Sequence, residues 1–291
     1  MELKSSLNIL IGLDLSEMDS ILVSYAREIV QWLPVQKIVY LHNIKINELP
    51  GNLTSQDKIE TLSRKVNNKL QQLVKELAPT GLPFEIVTRR AAFTELAFEE
   101  TVKQHKIDLV ILGNKQQLEG SGGINQKLAR MLNCAVLLVP ETFRGVPRKI
   151  LLAVDFSRYT TGILQWGRLI EQLNMQHAGF KITPLYISKL AYHFFPFFSN
   201  EDVEQSYKID MQEKQKKWRQ HFAQYPKLEI IPAGDKNIAS ALMDYADQHR
   251  YDLLVLGVKG SSSLTTLFMG SVANELIQVE TNICFLFVKG K

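Results

Sequence analysis

The sequence predicts an α/β protein made of two tandem five-stranded parallel sheets with helices on both faces. Two observations carry this expectation. Short apolar runs without polar alternation recur between segments of helical period, the pattern of strands buried on both faces of a parallel sheet. Halfway along the chain the series begins again at a nearly constant offset, the mark of an internal duplication.

The first half opens on Leu7-Asn8-Ile9-Leu10-Ile11-Gly12-Leu13-Asp14, followed by Ser16 and a helical pattern that reaches Trp32. Lys149-Ile150-Leu151-Leu152-Ala153-Val154-Asp155 repeats it, followed by Ser157 and a helical pattern that reaches Leu173. Val39-Tyr40-Leu41-His42 answers to Thr183-Pro184-Leu185-Tyr186, and Phe84-Glu85-Ile86-Val87 to Leu228-Glu229-Ile230-Ile231. Ile107-Asp108-Leu109-Val110-Ile111-Leu112-Gly113 answers to Tyr251-Asp252-Leu253-Leu254-Val255-Leu256-Gly257, and each half closes on one more apolar run, at 135–139 and 285–288. Gly145 and two prolines interrupt the pattern between 140 and 147, so the expected units are 1–143 and 144–291.

A chain of 291 residues is long enough for two cores of ordinary size. No apolar run approaches the roughly 20 residues of a membrane span, and Met1-Glu2-Leu3-Lys4 lacks the order of a signal peptide, so a cytoplasmic location is expected. Cys134 and Cys284 each head a closing apolar run and read as reduced core residues; no Cys/His spacing suggests a protein-held metal. The net charge of +4 is small for this length. Basic residues gather at 208–219 on a helical period with Trp218, a solvated face rather than a nucleic-acid surface.

One stretch carries the chemistry. Gly257-Val258-Lys259-Gly260 follows an apolar run, and Gly270-Ser271 precedes a helical pattern at 272–279, so the segment reads as strand, glycine loop, helix. Glycines let backbone approach a phosphate, and a helix start turns N–H groups and a positive dipole end toward an anion. Ser271, at the expected N-cap, either caps the helix or donates to a phosphate oxygen. In a doubly wound sheet of order 3-2-1-4-5, the strands ending in Asp155 and Gly257 are neighbours where the order reverses, and ligands bind there. Asp155 is then either a ribose contact or an acid satisfied by the helix it precedes. Lys259 is no P-loop lysine, since the G-x-x-x-x-G-K-[ST] order is absent.

The run 150–157, the pair Asp252 and Gly257, and the G-x2-G-x9-G-S spacing of Gly257, Gly260, Gly270 and Ser271 resemble the universal stress protein family, in its ATP-binding subclass. The resemblance covers both halves, as in a tandem member. It implies a flavodoxin-like, adenine nucleotide alpha hydrolase-like fold in each half, with the fifth strands meeting in a pseudo-dimer within the chain. It also implies roles in the second half. Asp155 matches the acid near the adenosine, with Ala153 and Val154 at its strand end, and Ile187 matches the residue whose backbone meets the adenine. Leu256, Gly257, Val258 and Gly260 match the start of the phosphate loop; Gly270, Ser271 and Val272 match the turn into the last helix.

The first half departs from this pattern. After Gly113 the chain reads Asn114-Lys115-Gln116, without the second glycine, and the segment before Ser121-Gly122 is about five residues shorter than its counterpart. Asp14 survives, but its opposing cradle does not, so this half is expected to be degenerate for ATP. Arg89-Arg90 read as a solvated pair rather than an anion site. The aromatic loop 192–198, Tyr-His-Phe-Phe-Pro-Phe-Phe, reads first as a buried plug, and otherwise as a lid or a docking patch.

The function expected is binding of one ATP in the second half, with Mg²⁺ carried by the phosphates, in stress signalling through nucleotide-dependent recognition of an unidentified protein partner. Rapid hydrolysis is not expected, because no water-positioning acid or arginine finger is evident, although slow turnover stays open. The alternatives are a nucleotide-independent scaffold, working through the interface and the aromatic loop, and a nucleotidyl transferase, against which stands the lack of clustered catalytic groups. A further homodimer is left open.

Overall fold

The computed structural model describes residues 6–115, 123–143, 145–189, 197–260 and 269–290. The first half runs β1 (Leu7–Leu13), α1 (Met18–Trp32), β2 (Val35–Asn43), α2 (Gln56–Leu77), β3 (Phe84–Arg89), α3 (Thr94–His105), β4 (Leu109–Asn114), α4 (Gly123–Met131) and β5 (Ala135–Pro140). The second runs β6 (Lys149–Ala153), α5 (Thr160–Asn174), β7 (Lys181–Ser188), α6 (Asn200–His221), β8 (Glu229–Pro232), α7 (Ile238–Gln248), β9 (Leu253–Gly257), α8 (Ser271–Leu276) and β10 (Cys284–Val288). Each half has the strand order 3-2-1-4-5.

The expectation of two separate sheets is corrected. All strands belong to one ten-stranded sheet, ordered β3-β2-β1-β4-β5-β10-β9-β6-β7-β8. The halves join where β5 and β10 pair antiparallel, Leu138 with Phe285, Leu137 with Leu286 and Val136 with Phe287, while the other pairings are parallel. The physical reason is the edge. A fully apolar fifth strand would leave a row of unpaired N–H and C=O groups, and its duplicate is the partner at hand. The implied meeting of the fifth strands is therefore observed as direct hydrogen-bonded pairing.

Because side chains alternate along a strand, each face of this sheet buries its own core, and both cores run through both halves. Ile9 and Ile11 point to the face that carries Trp32, Trp166 and Trp218; Leu10 points to the face that carries Phe98, Leu242 and Leu276. Asn174 Nδ2, at the end of α5, donates to the Trp32 carbonyl at 3.2 Å, a buried bond between the halves. Cys134 and Cys284 are buried free thiols, as expected, and burial pushes the Cys134 thiol up to about 12. Among the described residues no helix is long and apolar enough to cross a membrane.

Two backbone devices repeat with the duplication. Asp108 accepts from Asn8 N–H at 3.0 Å, and Asp252 accepts from the N–H groups of Arg148 and Lys149 at 2.8 Å each, so both acids hold the first strand of their half at its N-terminal end. Lys106 and Arg250, ahead of them, have left-handed backbones (φ 52° and 55°), as do Leu15 and Phe156 after the first strands (φ 67° and 58°). Asp252, part of the motif read from sequence, thus sits at the far end of the sheet from the glycine loop and has an architectural role.

Lys106 and Arg250 are exposed, so glycine at either removes only the left-handed penalty; Lys106→Gly and Arg250→Gly should each stabilise by up to about 1 kcal/mol in denaturant titration. Phe156→Gly should destabilise instead, because its ring packs on Tyr186, Trp218 and Phe222. Asp252→Ala strands two backbone donors and should cost roughly 1–3 kcal/mol by the same measurement.

Candidate functional site

The crevice of the second half follows from where two strands part. Pairing of β6 with β9 runs from Ile150–Leu253 to Leu152–Val255 and stops, while β9 continues to Gly257. Beyond it, Val154 turns to the other neighbour and donates its N–H to the Leu185 carbonyl at 2.9 Å. Ala153 pairs with Leu185, which puts Asp155 level with Ile187 past the carboxyl ends of the strands. A chain ligand at this reversal point meets β7 on one side and β9 on the other.

Asp155 is held in an Asx turn, its Oδ1 accepting from Ser157 N–H at 3.0 Å. Its Oδ2 faces Gly260 so closely that a Cβ there would lie 3.1 Å away. The acid and the glycine loop do face each other. At Gly257 a Cβ would stand 2.7 Å from Tyr159 Cβ, and at Gly270 it would stand 3.1 Å from Lys259 Cα, so these two glycines permit close backbone packing. Gly270 N–H donates to the Val258 carbonyl at 2.9 Å, and Val258 N–H to the Val288 carbonyl at 3.1 Å. Both ends of the loop are thereby pinned together, with residues 261–268 between them outside the described residues.

Ser271 is the first residue of α8 and not its N-cap; that position belongs to Gly270, which makes no side-chain capping bond. The reason is the close approach at Gly270, which leaves no space there for a side chain. The helix bonds begin with Asn274 N–H to the Gly270 carbonyl, so the N–H groups of Ser271, Val272 and Ala273 lie ahead of the ladder. α8 also stops at Leu276, short of the helical pattern in the sequence. Leu256, Val258 and Ile187 are buried supports, and Ser271 is exposed.

Sequence reasoning missed the contribution of α6. Its basic face is solvated as read at Lys208, Lys216, Lys217 and Arg219, but Lys214 is half-buried, its Nζ 5.6 Å from the Tyr186 ring centroid and 3.3 Å from Asp210, and Lys217 Nζ lies 4.9 Å from the Phe156 ring. Burial pulls the Lys214 ammonium down, but Tyr186 and Asp210 more than offset this and leave it above its usual value. Asp210 also accepts from the Ser188 hydroxyl beside Ile187. The stripe Asp210, Lys214, Lys217 at helical spacing was the available signal.

Lys259 is buried rather than extended into solvent, and its charge reaches Lys289. Burial pulls the Lys289 ammonium down to about 8, with Lys259 acting in the same direction. Lys289 donates to the carbonyls of Ala129 and of Arg130 (2.9 Å), near the end of α4 in the other half. Gln126 of α4 likewise donates to Asn274 of α8.

The first half keeps a crevice at the corresponding place, a cavity of about 600 Å³ whose lining includes Gly12, Asp14, Met18 and Gly113. Lys115, the counterpart of Lys259, reaches across it to Asp14 at 2.5 Å. Burial pushes the Asp14 carboxyl up, but hydrogen bonds from Lys115 and Ser16 outweigh it and hold it below its usual value. Gln116 and Ser121-Gly122 lie outside the described residues. Arg89, expected to be solvated, donates instead to Thr101 and Gln104 on α3, while Arg90 is exposed. Of the aromatic loop only Phe197 and Phe198 are described, and both are exposed, at 82% and 60%, so these two rings are no plug; 192–196 lie outside the described residues.

Residues 147–279 match the model of the universal stress protein family. No curated protein matches the chain significantly. Among solved structures, a universal stress protein from Archaeoglobus fulgidus DSM 4304 is similar over 97% of this chain and 98% of its own, with a TM-score of 0.70 at 13% identity. A functionally unknown protein from Pseudomonas aeruginosa PAO1 is similar over 97% of this chain and 92% of its own, with a TM-score of 0.62 at 17% identity. These likenesses speak for the fold of the whole chain, and the family model speaks for the second half. Residues 147–279 carry the match to the universal stress protein family, and the first half repeats the strand order of that matched domain.

Proposed function

We propose that this stress-response protein binds one adenine nucleotide per chain in the second half, and that the bound state alters how the chain meets protein partners. The observation that carries this reading is the Asp155 carboxylate facing Gly260 where β6 and β9 separate. Asp155 is positioned for a ribose hydroxyl, and the backbone beyond β7 at Ile187 for the adenine edge. Gly257 and Gly260, with buried Val258 between them holding the loop, present one side to the phosphates, while Gly270, Ser271 and Val272 bring the first turn of α8 to the other. Ala153, Val154 and Leu256 form the strand ends beneath. Mg²⁺ arrives with the phosphates, as a cation that keeps most of its water and needs few protein ligands.

The chemistry proposed is recognition rather than turnover, in a cytoplasmic protein whose units are 1–143 and 144–291. A scaffold independent of nucleotide is the second reading, and exposed Phe197 and Phe198 favour it. Titration of ATP with Mg²⁺ into the nucleotide-stripped chain separates the two. One site per chain is expected. Gly260→Gln, which copies Gln116 of the first half, should abolish it, because even a Cβ there crowds Asp155. Asp155→Ala should weaken it about 10–100-fold, the effect of losing a hydrogen bond to a charged group. No heat, and no nucleotide carried through purification, would sink the nucleotide reading in favour of the scaffold.

A further inference from the structure

The first-half cavity is a site of different chemistry from its twin. The offset that relates Asp14 to Asp155 relates Asp19 to Thr160, so a carboxylate stands where the second half has a hydroxyl. Asp19 lines the cavity, is 4% exposed, and accepts from Asp14 N–H at 2.9 Å and Leu15 N–H at 2.8 Å. A carboxylate offers about four acceptor sites, so each oxygen keeps one. Burial, with the charge of Asp14 adding to it, pushes the Asp19 carboxyl up to about 6, against the two backbone hydrogen bonds. An ammonium beside it would relieve that cost.

The remaining charges of the lining cancel in pairs. Among the described residues Lys115 meets Asp14, Lys45 meets Glu48 at 2.8 Å and Lys127 meets Glu95 at 3.1 Å, and Asp19 is the further carboxylate, with the charge of Lys115 also acting on it. Among the described residues of this lining each cation already has a carboxylate, which disfavours a polyphosphate. Leu22, Phe98, Leu112 and Leu128 give the same cavity buried apolar walls, and about 600 Å³ lies within the range of about 300–1,000 Å³ typical of small-molecule pockets.

We propose that the first-half crevice binds a small phosphate-free amine, its ammonium group against Asp19 and its apolar body against Leu22, Phe98 and Leu128. The site is independent of the nucleotide reading, since its residues all belong to the other half. The test is calorimetric titration of the full chain with 2-phenylethylamine, phenylacetate and ATP with Mg²⁺. One equivalent of 2-phenylethylamine should bind, at least about ten-fold more tightly than phenylacetate, the effect expected of one hydrogen bond to a charged group. Saturating ATP should not displace it. Asp19→Asn should weaken it by a similar factor, and Ile124→Trp, which fills the cavity from a partly exposed position on α4, should abolish it with the thermal midpoint little changed. Should Asp19→Asn fail to fold, Ile124→Trp decides. Equal affinity for phenylacetate, displacement by ATP, no binding of the amine at millimolar concentration, or binding that survives the filled cavity would each overturn the proposal.

Discussion

Leu138 with Phe285, Leu137 with Leu286, and Val136 with Phe287 make up a short antiparallel ladder, and the arrangement of everything else depends on it. A parallel sheet of five strands ends in an edge that must be covered. The second half supplies another fully buried fifth strand, which pairs with it antiparallel. Pairing them satisfies the backbone and lets the apolar faces of both halves run on as two continuous cores. The buried bond from Asn174 to the Trp32 carbonyl then fits on one face, and the Lys289 ammonium on the α4 carbonyls near the other.

That junction also brings the two crevices into one framework without making them alike. Asp14 and Asp155 stand at the same point of the same topology, each followed by a left-handed residue and each accepting a backbone bond two residues on. The difference lies in what faces them. Asp155 meets a glycine, and the lysine of that loop is buried near Lys289. Asp14 meets Lys115, and Asp19 adds a second carboxylate beside it. One mouth sets its carboxylate against a glycine, and the other is crossed by its own ion pair. The two mouths can differ in electrostatics because the sheet and its cores do not depend on the loops at the strand ends.

Much of this was legible in the residues. Unalternating apolar runs reported strands buried on both faces, and the repeat offset reported that both halves share one topology. The partners Asp155 and Gly260 were legible too, as the ends of strands that a doubly wound order places side by side. Other features depended on contacts between segments far apart in sequence. Ser271 matched a capping residue by type, but the approach of the Lys259 backbone moved the cap to Gly270. Lys214 read as solvated until Tyr186 was placed beneath it. Asp252 read only as part of the family pattern, and its role became visible with the N–H groups of Arg148 and Lys149 found on it.

The sequence alone determined the elements and their repetition, because hydrophobic period and glycine placement act locally and are written residue by residue. Tertiary structure decided that two sheets are one, that the first-half crevice is open yet crossed by Lys115, and that Asp19 sits buried within it. These are matters of distance between side chains, set by backbone pairing across the whole chain, and no spacing in the sequence encodes them.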